Sequence, residues 1–335
     1  MKKNRIIWII LPGLIFMVFS LKAQQSPMFS QYMVNKFLLN PAVAGGNGYT
    51  TVNTVFREQY LGFENAPRTF SLNGQTRILN DSYILKRLQV RNNSNQASTA
   101  ANIGLGANIF NDRNGIVSKT GFQFTYAYHL NFNNDYQVSM GLSMSAFQYK
   151  LDDSDVDLVN TDDMLLLANK KQFWVPDASI GIYFTNNTIY GGAAMSDLFG
   201  SSFKLGDTHF KDNFRTVRHY NMMAGYRYRM PGGFKLEPSV LVRATKFDVQ
   251  TDFNIKAYYQ NEYWGGISYR TNKTIVTMIG LSVDMFYFGY AFDASLGTVK
   301  NYSSGSHEIM MGLRFGDNST RRLRWIKKDE TEFEM

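Results

Sequence analysis

Residues 136–147 read Tyr136-Gln137-Val138-Ser139-Met140-Gly141-Leu142-Ser143-Met144-Ser145-Ala146-Phe147, and this stretch decides the fold. Its even positions, Tyr136, Val138, Met140, Leu142, Met144 and Ala146, are apolar. Its odd positions, Gln137, Ser139, Gly141, Ser143 and Ser145, are small and polar. A β-strand sends alternate side chains to opposite faces, and no helical register separates the two sets so cleanly. Just upstream, Phe122, Phe124, Tyr126, Tyr128 and Leu130 oppose Gly121, Gln123, Thr125, Ala127 and His129. Only Asn131-Phe132-Asn133-Asn134-Asp135 separates the two runs, so they read as a hairpin.

The same alternation extends in both directions. Ile103, Leu105, Ala107 and Ile109 oppose Asn102, Gly104, Gly106 and Asn108; Phe253, Ile255, Ala257 and Tyr259 oppose Asp252, Asn254 and Lys256. Phe286, Phe288, Tyr290 and Phe292 oppose Tyr287, Gly289, Ala291 and Asp293, and Ile309, Met311, Leu313 and Phe315 oppose Met310, Gly312 and Arg314. Weaker strands are expected near 49–57, 69–78, 179–185, 188–196, 217–229, 234–246, 263–270 and 275–283. The count is about fourteen strands of roughly ten residues, the length a membrane-spanning β-barrel requires.

A soluble β-sandwich alternates too. Two features favour the all-β transmembrane antiparallel barrel. The polar faces carry Gly, Ser, Asn, Gln and charges such as Lys235, Glu237 and Arg243, suited to a wet lumen, while the apolar faces are crowded with Phe, Tyr and Met, suited to lipid. Connection lengths also alternate as in outer-membrane barrels. With the first strand rising from the periplasm, the turns near 131–133, 186–187, 231–232 and 260–261 are short and periplasmic, and the long connections 150–172, 197–216 and 295–306 face outward. The segment 79–98, basic through Lys86, Arg87 and Arg91, is the exception: long and periplasmic.

Composition agrees. The chain has 335 residues, 44% hydrophobic and 15% aromatic, with no cysteine, yet its mean hydropathy is -0.27. Apolar residues are therefore diluted rather than blocked, which excludes a polytopic helical membrane protein needing several runs of about 20 apolar residues. The missing thiols exclude disulfide frameworks, thiolate zinc sites and cysteine nucleophiles. The one apolar run, Ile6 to Phe19, follows Lys2, Lys3 and Arg5 and precedes Ser20-Leu21-Lys22-Ala23, the pattern of a secretory signal over 1–23. An uncleaved anchor helix is the alternative. Removing Lys2, Lys3, Arg5 and Lys22 takes the formal charge from +8 to +4, too little to suggest nucleic acid as a partner.

Ahead of the barrel, Ser26-Pro27 resembles a helix start, and Phe29, Met33 and Phe37 fall on one face, so a short helix is expected over about 27–38, ended by Asn40-Pro41. The expected organisation is a signal over 1–23, a periplasmic or plug segment over 24–47, a barrel over 48–316 and a charged periplasmic tail over 317–335.

Catalysis is not indicated and no cofactor is expected. His129, His209, His219 and His307 are scattered without metal-ligand spacing, no serine sits in a nucleophile-elbow context, and Gly104-x-Gly106 lies mid-strand without a following helix. The acidic stretch Asp152, Asp153, Asp155, Asp157, Asp162 and Asp163 is the only metal-like cluster. Asp153, Asp155 and Asp157 alternate as calcium ligands do, but Leu158 and Met164 occupy the positions an EF-hand loop gives to glycine and glutamate. The stretch reads better as a solvated outer loop and a candidate partner contact.

Several motifs carry a family resemblance. Residues 24–33, Gln24-Gln25-Ser26-Pro27-Met28-Phe29-Ser30-Gln31-Tyr32-Met33, precede Asn35, Asn40-Pro41-Ala42-Val43-Ala44-Gly45, Arg57-Glu58-Gln59-Tyr60 and Ala66-Pro67-Arg68-Thr69-Phe70-Ser71. Near the end stand Tyr287-x-Gly289-Tyr290-Ala291-Phe292-Asp293 and Gly305-Ser306-His307-Glu308-Ile309-Met310 with Gly312. Together these resemble the PorP/SprF family of outer-membrane proteins of type IX secretion and gliding. The motifs cover about a third of the chain beyond the signal, and Tyr60 stands where Trp is more usual. The resemblance implies a non-enzymatic barrel whose partners are a secreted surface adhesin, other type IX components and outer-membrane lipid. His307 and Glu308 become candidate partner contacts beside the bland reading that they help close the last hairpin. A core component coupled to the periplasmic ring or motor, and a pore for small solutes, hydrophobic ones included, are the competing functions.

Overall fold

The computed structural model describes residues 28–78, 102–132, 136–151, 172–200, 202–204 and 213–315. Among them fourteen antiparallel strands close into a barrel. In chain order these are β1 (Thr50–Glu58), β2 (Arg68–Ile78), β3 (Asn102–Asn114), β4 (Val117–Phe132), β5 (Tyr136–Leu151), β6 (Gln172–Thr185) and β7 (Ile189–Ser196). They continue as β8 (His219–Tyr226, resuming as Tyr228–Met230), β9 (Phe234–Ala244), β10 (Val249–Tyr259), β11 (Tyr263–Arg270), β12 (Thr274–Val283), β13 (Phe286–Ser295) and β14 (Ser306–Phe315). The interruption of β8 lies opposite Glu237 and Pro238 of β9, with register unchanged on either side. Pro238 has no N–H to give the ladder there. Each strand pairs with its sequence neighbour, and β1 pairs with β14 from Thr50 and Phe315 to Glu58 and His307, so no edge is left open. Two three-residue strands, Ser202–Lys204 and Asn213–Arg215, form a separate ribbon between β7 and β8.

Burial along the strands is inverted relative to a soluble protein. Met140 and Met144 are 57% and 64% exposed, whereas Ser139 and Ser143, each just before one of them, are 0% and 1% exposed. Likewise Phe253 and Ile255 are exposed while Asp252, Asn254 and Lys256 are buried. Exposed apolar side chains ring the barrel, among them Phe70, Ile109, Phe124, Ile182, Met222, Ile267, Ile279 and Ile309. A continuous apolar belt of this extent is a lipid-facing surface. The two faces read from residues 136–147 are thus the lipid face and the lumen face, and the sandwich alternative falls with barrel closure.

Two expectations are corrected. No helix forms over the described part of 27–38. Residues 28–49 instead run as turns with two short 3-10 segments, Lys36–Leu38 and Pro41–Val43. An amphipathic helix needs one face turned to solvent. Here the polar Ser30, Gln31 and Asn35 are buried along with Phe29, Tyr32, Met33 and Phe37, Asn35 leaves the helical region at φ -121 and ψ 75, and the N–H groups of Ser30 and Gln31 go to a barrel carboxylate. The second correction concerns the wet lumen: many inward polar side chains are buried, some against residues 28–49 and others, such as Ser71 with Asn108 and Thr125 with Ser143, against one another. The strands otherwise start and stop close to their expected limits, except that β3 runs on to Asn114, β4 begins at Val117, β5 runs on to Leu151 and β6 begins at Gln172. The basic connection after β2, the aspartate-rich connection after β5, residues 1–27 and the tail from 316 lie outside the described residues.

Thr50 and Phe315 pair at one end of the barrel, here the terminal rim. The turns 186–188, 231–233, 260–262 and 284–285 share it. The connections 59–67, 115–116, 245–248, 271–273 and 296–305 lie at the opposite, far rim.

Candidate functional site

Residues 28–49 pass through the lumen and touch inward side chains from strands all round the wall. Near the far rim the contact is ionic. Inward positions of β1, β11, β13 and β14 supply Arg57, Arg270, Asp293 and Glu308, each at most 3% exposed. Arg57 reaches Asp293 at 2.8 Å and Glu308 at 3.3 Å, and Arg270 reaches Asp293 at 2.8 Å and Asp252 at 3.3 Å. Arg243 completes the set at 2.8 Å from Asp252. Three guanidiniums therefore face three carboxylates, the balance that buried charge demands.

Ser30 sits at the centre of this cluster. Its hydroxyl donates to Asp293 and accepts from Arg57 at 2.6 Å and Arg270 at 2.9 Å. The backbone N–H groups of Ser30 and Gln31 donate to the two Glu308 oxygens at 2.6 and 2.8 Å.

Halfway down, the segment meets polar side chains singly. Asn254 donates to the Tyr32 hydroxyl at 2.7 Å, Lys256 donates to the Met33 carbonyl at 3.3 Å, and Asn35 donates to Asn73 at 2.9 Å. Asn73 also accepts from Asn53, which the Tyr287 hydroxyl bonds on its other side. Lys36 pairs with Glu237 at 3.2 Å and lies 3.7 Å from the Tyr190 ring centroid.

The next contact is steric. Gly104 and Gly106 of β3, Gly141 of β5, Gly181 of β6 and Gly192 of β7 turn their bare Cα atoms inward against residues 37–44. A Cβ at Gly141 would strike the Pro41 and Ala42 backbone, one at Gly181 or Gly192 the Asn40 amide, and one at Gly104 the Ala44 carbonyl. In this groove Asn40 caps the Pro41–Val43 turn by accepting from the Ala42 N–H at 2.9 Å and donates its amide to the Ile182 and Ala193 carbonyls at 2.9 and 3.3 Å. At the terminal rim His129 Nε2 donates to the Ala44 carbonyl at 2.8 Å, so its Nδ1 accepts from Ser139 at 2.7 Å. The Gly45 N–H donates to Gln75.

Above the ionic cluster, a cavity of ≈ 190 Å³ opens at the far rim, lined by Met28, Gln59, Tyr60, Asn272, Lys300 and Ser303 among others. The connections 59–67 and 296–305 are bonded to each other beside it, through Leu61 with Gly305 and Ser304 with Leu61.

Of the residues singled out from the sequence, His307 and Glu308 part company. Glu308 points inward and is fully buried. His307 points outward, 2.7 Å from the Tyr290 hydroxyl and flanked by the Tyr290 and Phe292 rings. Asp152, Asp153, Asp155, Asp157, Asp162 and Asp163, including the calcium-like trio, lie outside the described residues. The motif residues Ser30, Gln31, Arg57, Asp293 and Glu308, far apart in sequence, meet in one cluster. Arg270 and Asp252 belong to it too and were not picked out; the available signal was a charge on the inward face of its strand.

A family model described as "Type IX secretion system membrane protein PorP/SprF" matches residues 21–313. Comparison with curated proteins returns no match. Among solved structures the chain is similar to the CymD monoaromatic hydrocarbon channel, at 10% identity and TM-score 0.42 over 86% of this chain and 92% of that one. It is also similar to the Pseudomonas putida toluene transporter TodX, at 8% identity and TM-score 0.40 over 86% and 93%. For the KdgM porin the figures are 8% identity and TM-score 0.35 over 80% and 99%. None of these three likenesses bears on function.

Proposed function

Since the chain belongs to the PorP/SprF family of type IX secretion system membrane proteins, we propose that it is a non-enzymatic outer-membrane barrel that binds a secreted surface adhesin and helps export or anchor it. The far rim faces the cell exterior, because in outer-membrane barrels the longer connections do so and the chain ends return to the periplasm. The observation that carries this reading is the occupied lumen. Residues 28–49 fill it with buried, charge-balanced and sterically fitted contacts, so what remains for recognition is the rims. A closed ladder leaves no strand edge for a partner.

The test is to purify the protein from detergent-solubilised outer membranes and identify what comes with it. The expected companion is a large secreted surface protein, with or without other secretion components. Recovery of the barrel with neither would overturn the proposal. Deletion then separates roles: loss of one adhesin from the surface fits a dedicated partner, whereas loss of all type IX cargo would assign the barrel to the core machinery. Solute flux through the purified protein in liposomes would favour the pore instead.

A further inference from the structure

The outward face of the barrel is apolar around its middle, but towards the far rim its chemistry differs from one sector to another. On β2 to β6 the outward residues nearest that rim form a row in register: Arg68 faces Arg113, Arg113 faces Ser118, Ser118 faces Lys150 and Lys150 faces Gln172. These side chains point outward because their strand neighbours point in. Thr69 donates to Asp112 on the lumen side, and Lys119 and Tyr149 both lie against the buried Phe147 ring. Arg68, Arg113 and Lys150 are exposed. Arg68 alone of the three has a carboxylate partner among the described residues, Glu58 at 2.8 Å, so the row carries a surplus of positive charge.

The next outward row towards the middle is Phe70, Asn111, Thr120, Gln148 and Trp174, with Asn111 donating to Thr120 at 2.6 Å. Below it stand Leu72, Ile109 and Phe122, the last with its ring 6.4 Å from that of Trp174. From rim to middle this sector therefore passes from cations, through amides and hydroxyls, to hydrocarbon. Elsewhere the first step is missing. Outward positions near the far rim on β8 to β14 hold Tyr220, Ala244, Val249, Tyr269, Phe292 and His307, and among the described residues no lysine or arginine stands outward on those strands at that rim.

We propose that the β2 to β6 sector is a binding site for a phosphate-bearing lipid. Arg113 and Lys150, with Arg68 beside them, hold the phosphate groups; the amides and hydroxyls of the second row meet the polar linkage; the acyl chains lie on Leu72, Ile109 and Phe122. Guanidinium and ammonium donors suit phosphate oxygens, and strands spaced at about 4.8 Å put Arg113 and Lys150, two strands apart, roughly 10 Å from each other. The order of the rows is the order of groups along such a lipid, whereas a water-soluble anion gains nothing from the aromatic and aliphatic floor. With the far rim facing the exterior, the ligand is a phosphorylated glycolipid of the outer leaflet. That identity rests on the orientation under Proposed function; the site itself does not.

The purified protein in detergent is mixed with diphosphorylated lipid A, with the same lipid stripped of its phosphates, or with diphosphorylated lipid A and excess inorganic phosphate, and bound lipid is counted by native mass spectrometry. The expected result is retention of the diphosphorylated lipid, loss of the stripped one and no displacement by inorganic phosphate. The double variant Arg113→Gln/Lys150→Gln leaves the Arg68–Glu58 pair in place and should bind about twenty-fivefold more weakly, at roughly fivefold for each cation near a lipid surface. Lys246→Gln/Lys273→Gln, in the far-rim turns after β9 and β11, should bind like the parent. Equal retention of the two lipids, displacement by inorganic phosphate, or equal binding by the two double variants would overturn the site. Orientation is read separately. The chain has no cysteine, so a maleimide too large to cross the outer membrane should label Lys246→Cys, and not Asn187→Cys in the terminal-rim turn, in intact cells. The reverse labelling would refute the orientation and, with the lipid results unchanged, move the site to the periplasmic leaflet.

Discussion

Arg57 and Glu308 are register partners across the seam where the first and last strands close the barrel, and their side chains form an ion pair at 3.3 Å on the lumen side. The same Glu308 carboxylate receives the N–H groups of Ser30 and Gln31. One side chain thus joins closure of the wall to seating of the lumen segment.

Glu308→Ala is expected to cost about 3–5 kcal/mol, because it leaves the Arg57 charge buried with half its partners gone. The loss would be read as a lower temperature for conversion of the compact barrel to its unfolded gel band. Arg57→Ala should act similarly, and the double variant should lose less than the two single losses added together. Full additivity would mean that the pair is not coupled.

Gly141→Leu should unseat residues 37–45 while sparing the wall, since the new side chain meets the Pro41 and Ala42 backbone and the ladder on either side of β5 needs no side chain at that point. The expected outcome is a barrel that still migrates as folded but whose amino-terminal segment is cut by added protease, together with ion conductance in planar bilayers that the parent lacks. Protection equal to the parent would refute the steric fit of the groove.

Asn40→Ala removes a turn cap and an amide that serves two wall carbonyls, for a loss of about 1–2 kcal/mol. Asn40→Asp keeps the acceptor for the Ala42 N–H but turns a carboxylate toward the Ile182 and Ala193 carbonyls. It should be the more damaging change at pH 8 and should recover as the pH falls and the carboxyl takes up a proton. Protease sensitivity of the amino-terminal segment against pH measures this, and a flat profile would argue against the donor role of the amide.

Met144→Lys on the outward face of β5 should cost about 2–4 kcal/mol in a bilayer if the residue lies near its midplane, and much less in a soluble protein where the same side chain would be solvated. Comparing folding yields of Met144→Lys and Lys246→Ala into lipid vesicles checks it. Equal yields would place Met144 away from the hydrocarbon.

The wall was legible because a period of two needs only local sequence: residues 136–147 announce their two faces without any partner strand. Strand number followed from the same signal, and β1 to β14 lie close to where alternation placed them. The lumen was legible only in pieces. Nothing in the spacing of Ser30, Arg57, Arg270, Asp293 and Glu308 brings them together, since closure of the wall does that. The stripe of Phe29, Met33 and Phe37 misled because helical spacing also suits a chain packed on every side, and the wall of inward groups outbids the local preference for a helix. The glycines at 104, 106 and 141 appeared as small residues of a polar face, and their use, with that of Gly181 and Gly192, as clearance for another piece of backbone is visible only once the segment is in place.

The bond from Ser30 to Glu308 spans 278 residues of sequence, so the part of the chain made first waits for the part made last. Contacts of such separation form slowly, and until β14 arrives the wall has two raw edges and the amino-terminal segment lacks its anchoring carboxylate. A chain cut short before β14 is therefore defective twice, unsealed at the wall and unfilled within. Only a complete polypeptide yields a tight barrel, which makes completeness of translation and export a condition of membrane integrity for this fold.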